Sequence, residues 1–458
     1  MQRPWLLCLT LIPSVLSSVI GPRQYGVIID AGSSGSRVRI YGWNPADDGG
    51  VPDFREIHSM KAKPGISDYA DKVSKLADYM DPLISEAKKI IPSDRHGDTP
   101  IYLMATAGMR LLLEDHANSV IDALNDVFED KAKNPFFYET QHTRILSGEE
   151  EGVFAWIAAN YLRGFFSPNS KVPNAGILEL GGASTQIAFI PDGAILADKY
   201  PVTVGGRSYS VYVHSYLYYG QNYVVKRIRE RLQEADPKAY TLDNPCMLKD
   251  DGACEEIDGQ QYLYHGTGEP EKCLQMMQRF IYKPHEDFCY PQPCSIGTVY
   301  QPTIEAEVPF LALSAFYFPP DRLKVMQEDG TFTPENLRIA ALDFCKKNIT
   351  LAMNETGETG RFLSTECTVA LYMSELFTSG YGFANDTQQI RAAGKINGRK
   401  IEWPLGAIIY ETEKDKCRSS PKYSAVRDAS TSQHLASPAQ LVLCAIVAST
   451  LQLVQRQM

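Results

Sequence analysis

Two short stretches of this 458-residue chain pair an acid with a glycine- and serine-rich turn. Residues 25–41 read YGVIIDAGSSGSRVRIY. The β-branched run Val27, Ile28 and Ile29 suits a strand in a sheet interior, and Asp30 closes it. Gly32 and Gly35 allow a tight turn, and the hydroxyls of Ser33, Ser34 and Ser36 with the loop amides could cradle an anion. Beyond the turn, Val38 and Ile40 alternate with Arg37 and Arg39, the period of a second strand. Residues 177–190, ILELGGASTQIAFI, repeat the pattern without a gap: Glu179 stands for Asp30, Gly181 for Gly32, Gln186 for Arg37 and Phe189 for Ile40. Two such hairpins predict two similar half-molecules. Facing each other across a cleft, they would grip a polyphosphate and bring two carboxylates to its metal.

Three further groups could do chemistry. In residues 105–110, ATAGMR, Thr106 offers a hydroxyl, Gly108 a close backbone approach and Arg110 a phosphate contact; a turn with Thr106 as helix cap explains the same residues. In residues 145–165, ILSGEEEGVFAWIAANYLRGF, Ser147 and Glu150 have the spacing of a capping box. Glu149 and Glu150 are accounted for by the helix dipole. Glu151 is the candidate general base for an attacking water, with Gly152 expected to leave room for water or substrate. Tyr317 or Phe318, in the aromatic run of residues 311–318, and Tyr381, just past a predicted helix end at Gly380, are candidates to stack on a base.

The elements that must position these groups alternate between helix and strand. Residues 68–91 have a helical apolar period, residues 101–104 form a short strand, and residues 153–161 form the apolar face of the helix carrying Glu151. A long helical pattern is read near residues 210–234, and residues 400–410 read as a final strand or helix.

Composition narrows the class. The formal net charge of -10 argues against a nucleic-acid partner, which calls for a basic face. Neither the P-loop nor the Rossmann glycine motif occurs. Residues 1–18 have the layout of a cleaved secretory signal. Residues 441–454 would span about 21 Å as a helix, short of a membrane core of about 30 Å. Together with the small residues at 428–432, they suit a glycolipid-anchor signal and membrane attachment through the C-terminal segment. Eight cysteines lie between residues 246 and 417, and close spacing favours Cys289–Cys294 and Cys345–Cys367 pairs. Asn348, Asn354 and Asn385 begin glycosylation sequons. Oligomeric state has no signature in the sequence.

DAGSSGSR (30–37), ATAGMR (105–110), SGEEEGVFAW (147–156), ELGGASTQ (179–186) and WPLGA (403–407) come in the order that resembles the apyrases, the ecto-nucleoside triphosphate diphosphohydrolase and nucleoside diphosphatase family. The resemblance covers residues 25–410. It implies an α/β fold of the actin/Hsp70/sugar-kinase type: two ribonuclease-H-like lobes with the active site between them and the last segment folded back onto the first lobe. The implied division is a signal at 1–18, a first lobe at 19–160 plus 395–422, a second, disulfide-bearing lobe at 161–394, and a linker and hydrophobic anchor signal at 423–458. It also implies hydrolysis of terminal phosphates of nucleoside tri- or diphosphates with Ca²⁺ or Mg²⁺. By the resemblance Glu151 is the base, Ser184 and Gln186 hold the water, and Thr106 acts at the metal or terminal phosphate. Residues Ser33, Ser34, Gly35, Ser36, Arg37, Gly181, Gly182 and Ala183 bind phosphates, and Asp30 and Glu179 hold the metal's water shell. The family usually carries Asp where this chain has Glu179, which bears on metal preference and rate. The competing expectations are a nucleotide-binding surface receptor with impaired catalysis and a phosphotransferase of the same superfamily.

Overall fold

The computed structural model describes residues 23–46, 50–257, 259–281 and 288–418. The expected signal at 1–18 and the tail at 423–458 lie outside the described residues. The first sheet is built from β1 (Gln24–Gly32), β2 (Gly35–Trp43), β3 (Arg55–Ala62), β4 (Ile101–Ala105) and β5 (Thr143–Ile145), in the order β3–β2–β1–β4–β5. Around it stand α1 (Leu76–Ile90), α2 (Ala107–Arg110), α3 (Glu114–Glu129) and α4 (Gly148–Leu162).

The second half begins with β6 (Gly176–Leu180), β7 (Ser184–Phe189), β8 (Lys199–Val204), β9 (Arg207–Leu217) and α5 (Gln221–Ala235). A small sheet follows, of β10 (Thr241–Asn244), β11 (Gly252–Ile257) and β12 (Gln260–Gly266), then α6 (Pro270–Gln278). The chain continues through β13 (Phe310–Ser314), α7 (Phe318–Arg322), α8 (Pro334–Cys345), α9 (Ile349–Thr356), α10 (Arg361–Glu375) and β14 (Ile390–Ala392). A two-stranded hairpin, β15 (Lys395–Ile396) and β16 (Arg399–Lys400), leads to α11 (Trp403–Arg418). The second sheet has the order β14–β13–β6–β7–β9–β8.

The two sheets repeat one plan. In each, an antiparallel hairpin lies beside a parallel strand, β4 beside β1 and β13 beside β6. Asp30 pairs with Arg37 in one hairpin and Glu179 with Gln186 in the other, the equivalence read from the sequence. Helices α1 and α3 close one face of the first sheet, and α5, α6, α8 and α10 close the far face of the second. Between the sheets lies a shared layer of α4 and α11. Helix α4 is apolar on nearly every side, with Val153 to Ala159 fully buried, because it is enclosed by sheet and helix alike. A Cβ at Gly406 would lie 1.8 Å from Phe154 O, so the α4–α11 crossing demands glycine there.

One element differs from expectation. Residues 210–217 form the end of strand β9, and only α5 is helical. With α4 packed on one side and the Tyr212 and Tyr216 cluster buried on the other, β9 lacks the polar alternation that marks a strand. Disulfides join Cys246–Cys273, Cys289–Cys294 and Cys345–Cys367, while Cys254 is an exposed thiol. Among the described residues, no helix is long and apolar enough to cross a membrane.

Candidate active site

The site is assembled from the two hairpin turns, the β4–α2 turn, the first turn of α4 and the end of β13. The first loop is braced by glycines: a Cβ at Gly65 would sit 2.7 Å from Ser33 O, and one at Gly108 would sit 2.8 Å from Ser33 Cα. Ser33 and Ser34 are exposed at its tip, and Gly35 takes φ 147°. The second loop is held by α5. Its Gly181, Gly182 and Ala183 carbonyls accept from the N–H groups of Gln221, Asn222 and Tyr218, so the groups that would repel a phosphate are already occupied. The loops meet: a Cβ on Gly182 would lie 3.5 Å from Ser33 Oγ.

Helix α4 presents Glu151. The Ser147–Glu150 capping box forms as expected, with bonds of 3.1 and 3.0 Å, which commits Glu150 to the cap. Glu151 Oε2 accepts from Arg110 Nη2 at 2.6 Å and from Gln186 Nε2 at 3.4 Å. Gln186 Nε2 also donates to Ser184 Oγ at 2.8 Å and Ser215 Oγ at 3.0 Å. Arg110 Nη2 reaches Ser184 Oγ at 3.4 Å. The Glu151 carboxylate and the Ser184 and Ser215 hydroxyls, from α4, β7 and β9, thus converge on the Gln186 amide nitrogen, with a guanidinium beside them. Burial pushes the Glu151 carboxyl above its ordinary range, and Asp30 adds to this while Arg110 opposes it.

Asp30 lies partly buried at the end of β1, its carboxyl pushed up to about 6 by burial and by Glu402, against the pull of Arg39 and Arg37. Glu179 is buried. Its Oε1 accepts from Ser314 Oγ at 2.9 Å, and its Oε2 has no protein partner. Burial and the neighbouring Glu151 and Asp30 raise its carboxyl, with the Ser314 hydroxyl pulling the other way. Thr106 precedes α2 but makes no side-chain cap bond, so the cap explanation fails and its hydroxyl stays uncommitted.

Several expectations are corrected. Ser36 is fully buried on the face of β2 opposite Arg37, away from the exposed tip of the turn; its N–H donates to Tyr79 Oη at 3.1 Å and its hydroxyl has no protein partner. Gly152 leaves no space: a Cβ there would sit 2.7 Å from Val213 Cγ2, so this glycine lets α4 lie close on the sheet. Arg110 is engaged by Glu151. Arg37 pairs with Glu402 at 3.6 Å and remains partly exposed. Tyr381 is buried, its hydroxyl bonded to Thr185 Oγ1 at 2.8 Å, and cannot offer a face to a base. Tyr317 is half-buried beside exposed Phe318, close after Ser314.

Ser215, Ser314 and the ion pairs of buried Arg39 with Glu56 and Glu402 were not singled out from sequence. Ser215 faces Gln186 in the β7–β9 register, a signal that recognition of β9 as a strand would have exposed.

The profile of the GDA1/CD39 (nucleoside phosphatase) family matches residues 21–433. The chain belongs to this family. It is 32% identical to ectonucleoside triphosphate diphosphohydrolase 2 of Gallus gallus, over 84% of this chain and 82% of that one. With ectonucleoside triphosphate diphosphohydrolase 3 of Homo sapiens it shares 31% identity, over 88% of this chain and 81% of that one. A solved structure, of nucleoside triphosphate hydrolases from Neospora caninum, superposes with a TM-score of 0.62 over 87% of this chain and 94% of that one, at 16% identity. That likeness carries the two-lobed α/β fold of this GDA1/CD39 member.

Proposed function

We propose that the protein hydrolyses terminal phosphates of nucleoside tri- and diphosphates by direct attack of water on phosphorus. The observation that carries this is the joining of Glu151 and Ser184 through the Gln186 amide beside the second hairpin turn. Glu151 takes the water's proton, a role worth about 10²–10⁴ in rate. The Ser184 hydroxyl and Gln186 amide hold the water, Ser215 steadies the amide, and Arg110 keeps Glu151 ionised and aimed. The tips of the two loops, Ser33 to Gly35 and Gly181 to Ala183, cradle the phosphates, with Thr106 at the terminal one and Arg37 at the rim. Positioning and charge do most of the work, as in phosphoryl transfer generally.

Membership of the family calls for a divalent cation, which when bound would offset phosphate charge. Two observations fit an ion held through its water shell by Asp30 and Glu179. Glu179 Oε2 is buried without a partner, and among the described residues no three acids, histidines or cysteines cluster closely enough to chelate an ion directly. Ca²⁺ and Mg²⁺ are the candidates. Tyr317 remains the candidate base platform. Action at the cell surface or in the secretory pathway accords with the ectoenzyme names of the relatives, and the exposed Asn348, Asn354 and Asn385 suit glycosylation there. Phosphate release from ATP, ADP, GDP, UDP and AMP with Ca²⁺, Mg²⁺ or EDTA tests the reading. Metal-dependent release from all but AMP is expected; binding of nucleotide without release would leave a receptor as the better account.

A further inference from the structure

Ser314 ends β13 beside the strand that carries Glu179: Leu313 is level with Glu179, and Ser314 with Leu180. Its backbone lies at φ 57°, ψ −123°, a region that glycine enters freely and L-residues avoid. A side chain is therefore kept where glycine would be unstrained. That side chain makes one hydrogen bond, from Oγ to Glu179 Oε1 at 2.9 Å. The other carboxylate oxygen, Oε2, is buried and has no protein partner. Glutamate has rotamer freedom that must be fixed before it can serve a precise contact, at a cost in entropy. The adjacent Thr185 hydroxyl is not available for this, since it donates to the Glu179 backbone carbonyl.

We infer that Ser314 is a positioning residue for the cation site: by holding Glu179 Oε1 it fixes the carboxylate so that Oε2 faces the hydrated divalent cation. This rests on the cation reading given above. The strained backbone is explained by the same role, because it places Oγ at the end of β13 within reach of the neighbouring strand.

The test uses the full chain with a saturating non-hydrolysable ATP analogue, titrated calorimetrically with Ca²⁺ and separately with Mg²⁺. Ser314→Ala removes the hydroxyl and keeps the strain; Ser314→Gly removes both. Each is expected to weaken cation binding by about tenfold, the effect of losing one hydrogen bond to a charged group. Ser314→Gly should melt within about 2 °C of wild type, since relief of strain offsets the lost bond. Glu179→Ala separates the two claims. If it weakens cation binding while both Ser314 variants bind as wild type, the Ser314 inference is overturned and the cation reading stands. If Glu179→Ala also binds as wild type, both fall. Weakening in Ser314→Ala alone would trace the effect to the strained fold and overturn the positioning role.

Discussion

Replacing Arg110 with alanine should change the pH dependence of the enzyme more than its ceiling. The guanidinium lies 2.6 Å from Glu151 Oε2, with the two side chains only 14% and 12% exposed, so solvent screens the pair little. An opposite charge at such a distance lowers a carboxyl pKa by about 1–3 units. Burial already raises the Glu151 carboxyl, and Arg110 is the main group opposing that rise. Without it the base should titrate about 1–2 pH units higher. With the wild-type carboxyl at about 7, it is half ionised at neutrality, so kcat/KM there should drop by about 5- to 50-fold. Profiles of phosphate release between about pH 5.5 and 9.5, at saturating cation, should show the acidic limb displaced upward and the two curves converging at high pH. Arg110→Lys keeps the charge and should leave the limb closer to wild type. An equal loss at every pH, with the limb unmoved, would refute the reasoning and give Arg110 a role on the phosphate itself.

Two other consequences concern groups away from the reacting water. Glu366 is buried against Arg322, and burial lifts its carboxyl from 4.5 to about 7. The folded state then holds a proton that the unfolded chain has released, so this stabilising contribution is complete below pH 4.5 and lost as pH rises through about 7, by at most about 3 kcal/mol. Relative to wild type, Glu366→Gln should therefore be more stable at pH 8 than at pH 5 in denaturant melts, and a pH-independent difference would contradict this. Tyr381→Phe removes a buried hydroxyl bonded to Thr185 and should cost about 1 kcal/mol of stability while leaving KM for ATP and GTP unchanged; a changed base preference would return Tyr381 to the nucleotide site.

The hairpins were legible because an acid, a glycine turn and a following strand fix their own register within fourteen residues or so, without help from distant chain. The capping box at Ser147 was legible for the same reason. Side-chain destinations set by tertiary packing were not. Arg110 sits in a motif that suggests a phosphate, yet it meets a glutamate 41 residues on, because α2 and the first turn of α4 abut. Gly152 suggests open space in sequence, whereas the structure requires glycine there, and at Gly406, for close approach of sheet on one side of α4 and helix on the other. Nothing in a serine codon announces a positive φ, so Ser314 was invisible until β13 was placed beside Glu179. Tyr381 read as accessible because it follows a helix end. The chain there turns inward, and Gln301 Nε2 donates to its carbonyl at 2.7 Å.

The most direct test of the whole account is Glu151→Gln. The amide keeps the size of the side chain but cannot accept the water's proton. The account predicts a variant that folds and binds nucleotide with cation as the wild type does, yet releases phosphate from ATP and ADP at less than about a hundredth of the wild-type rate. A purified, folded Glu151→Gln protein that keeps more than about a tenth of wild-type turnover would contradict it.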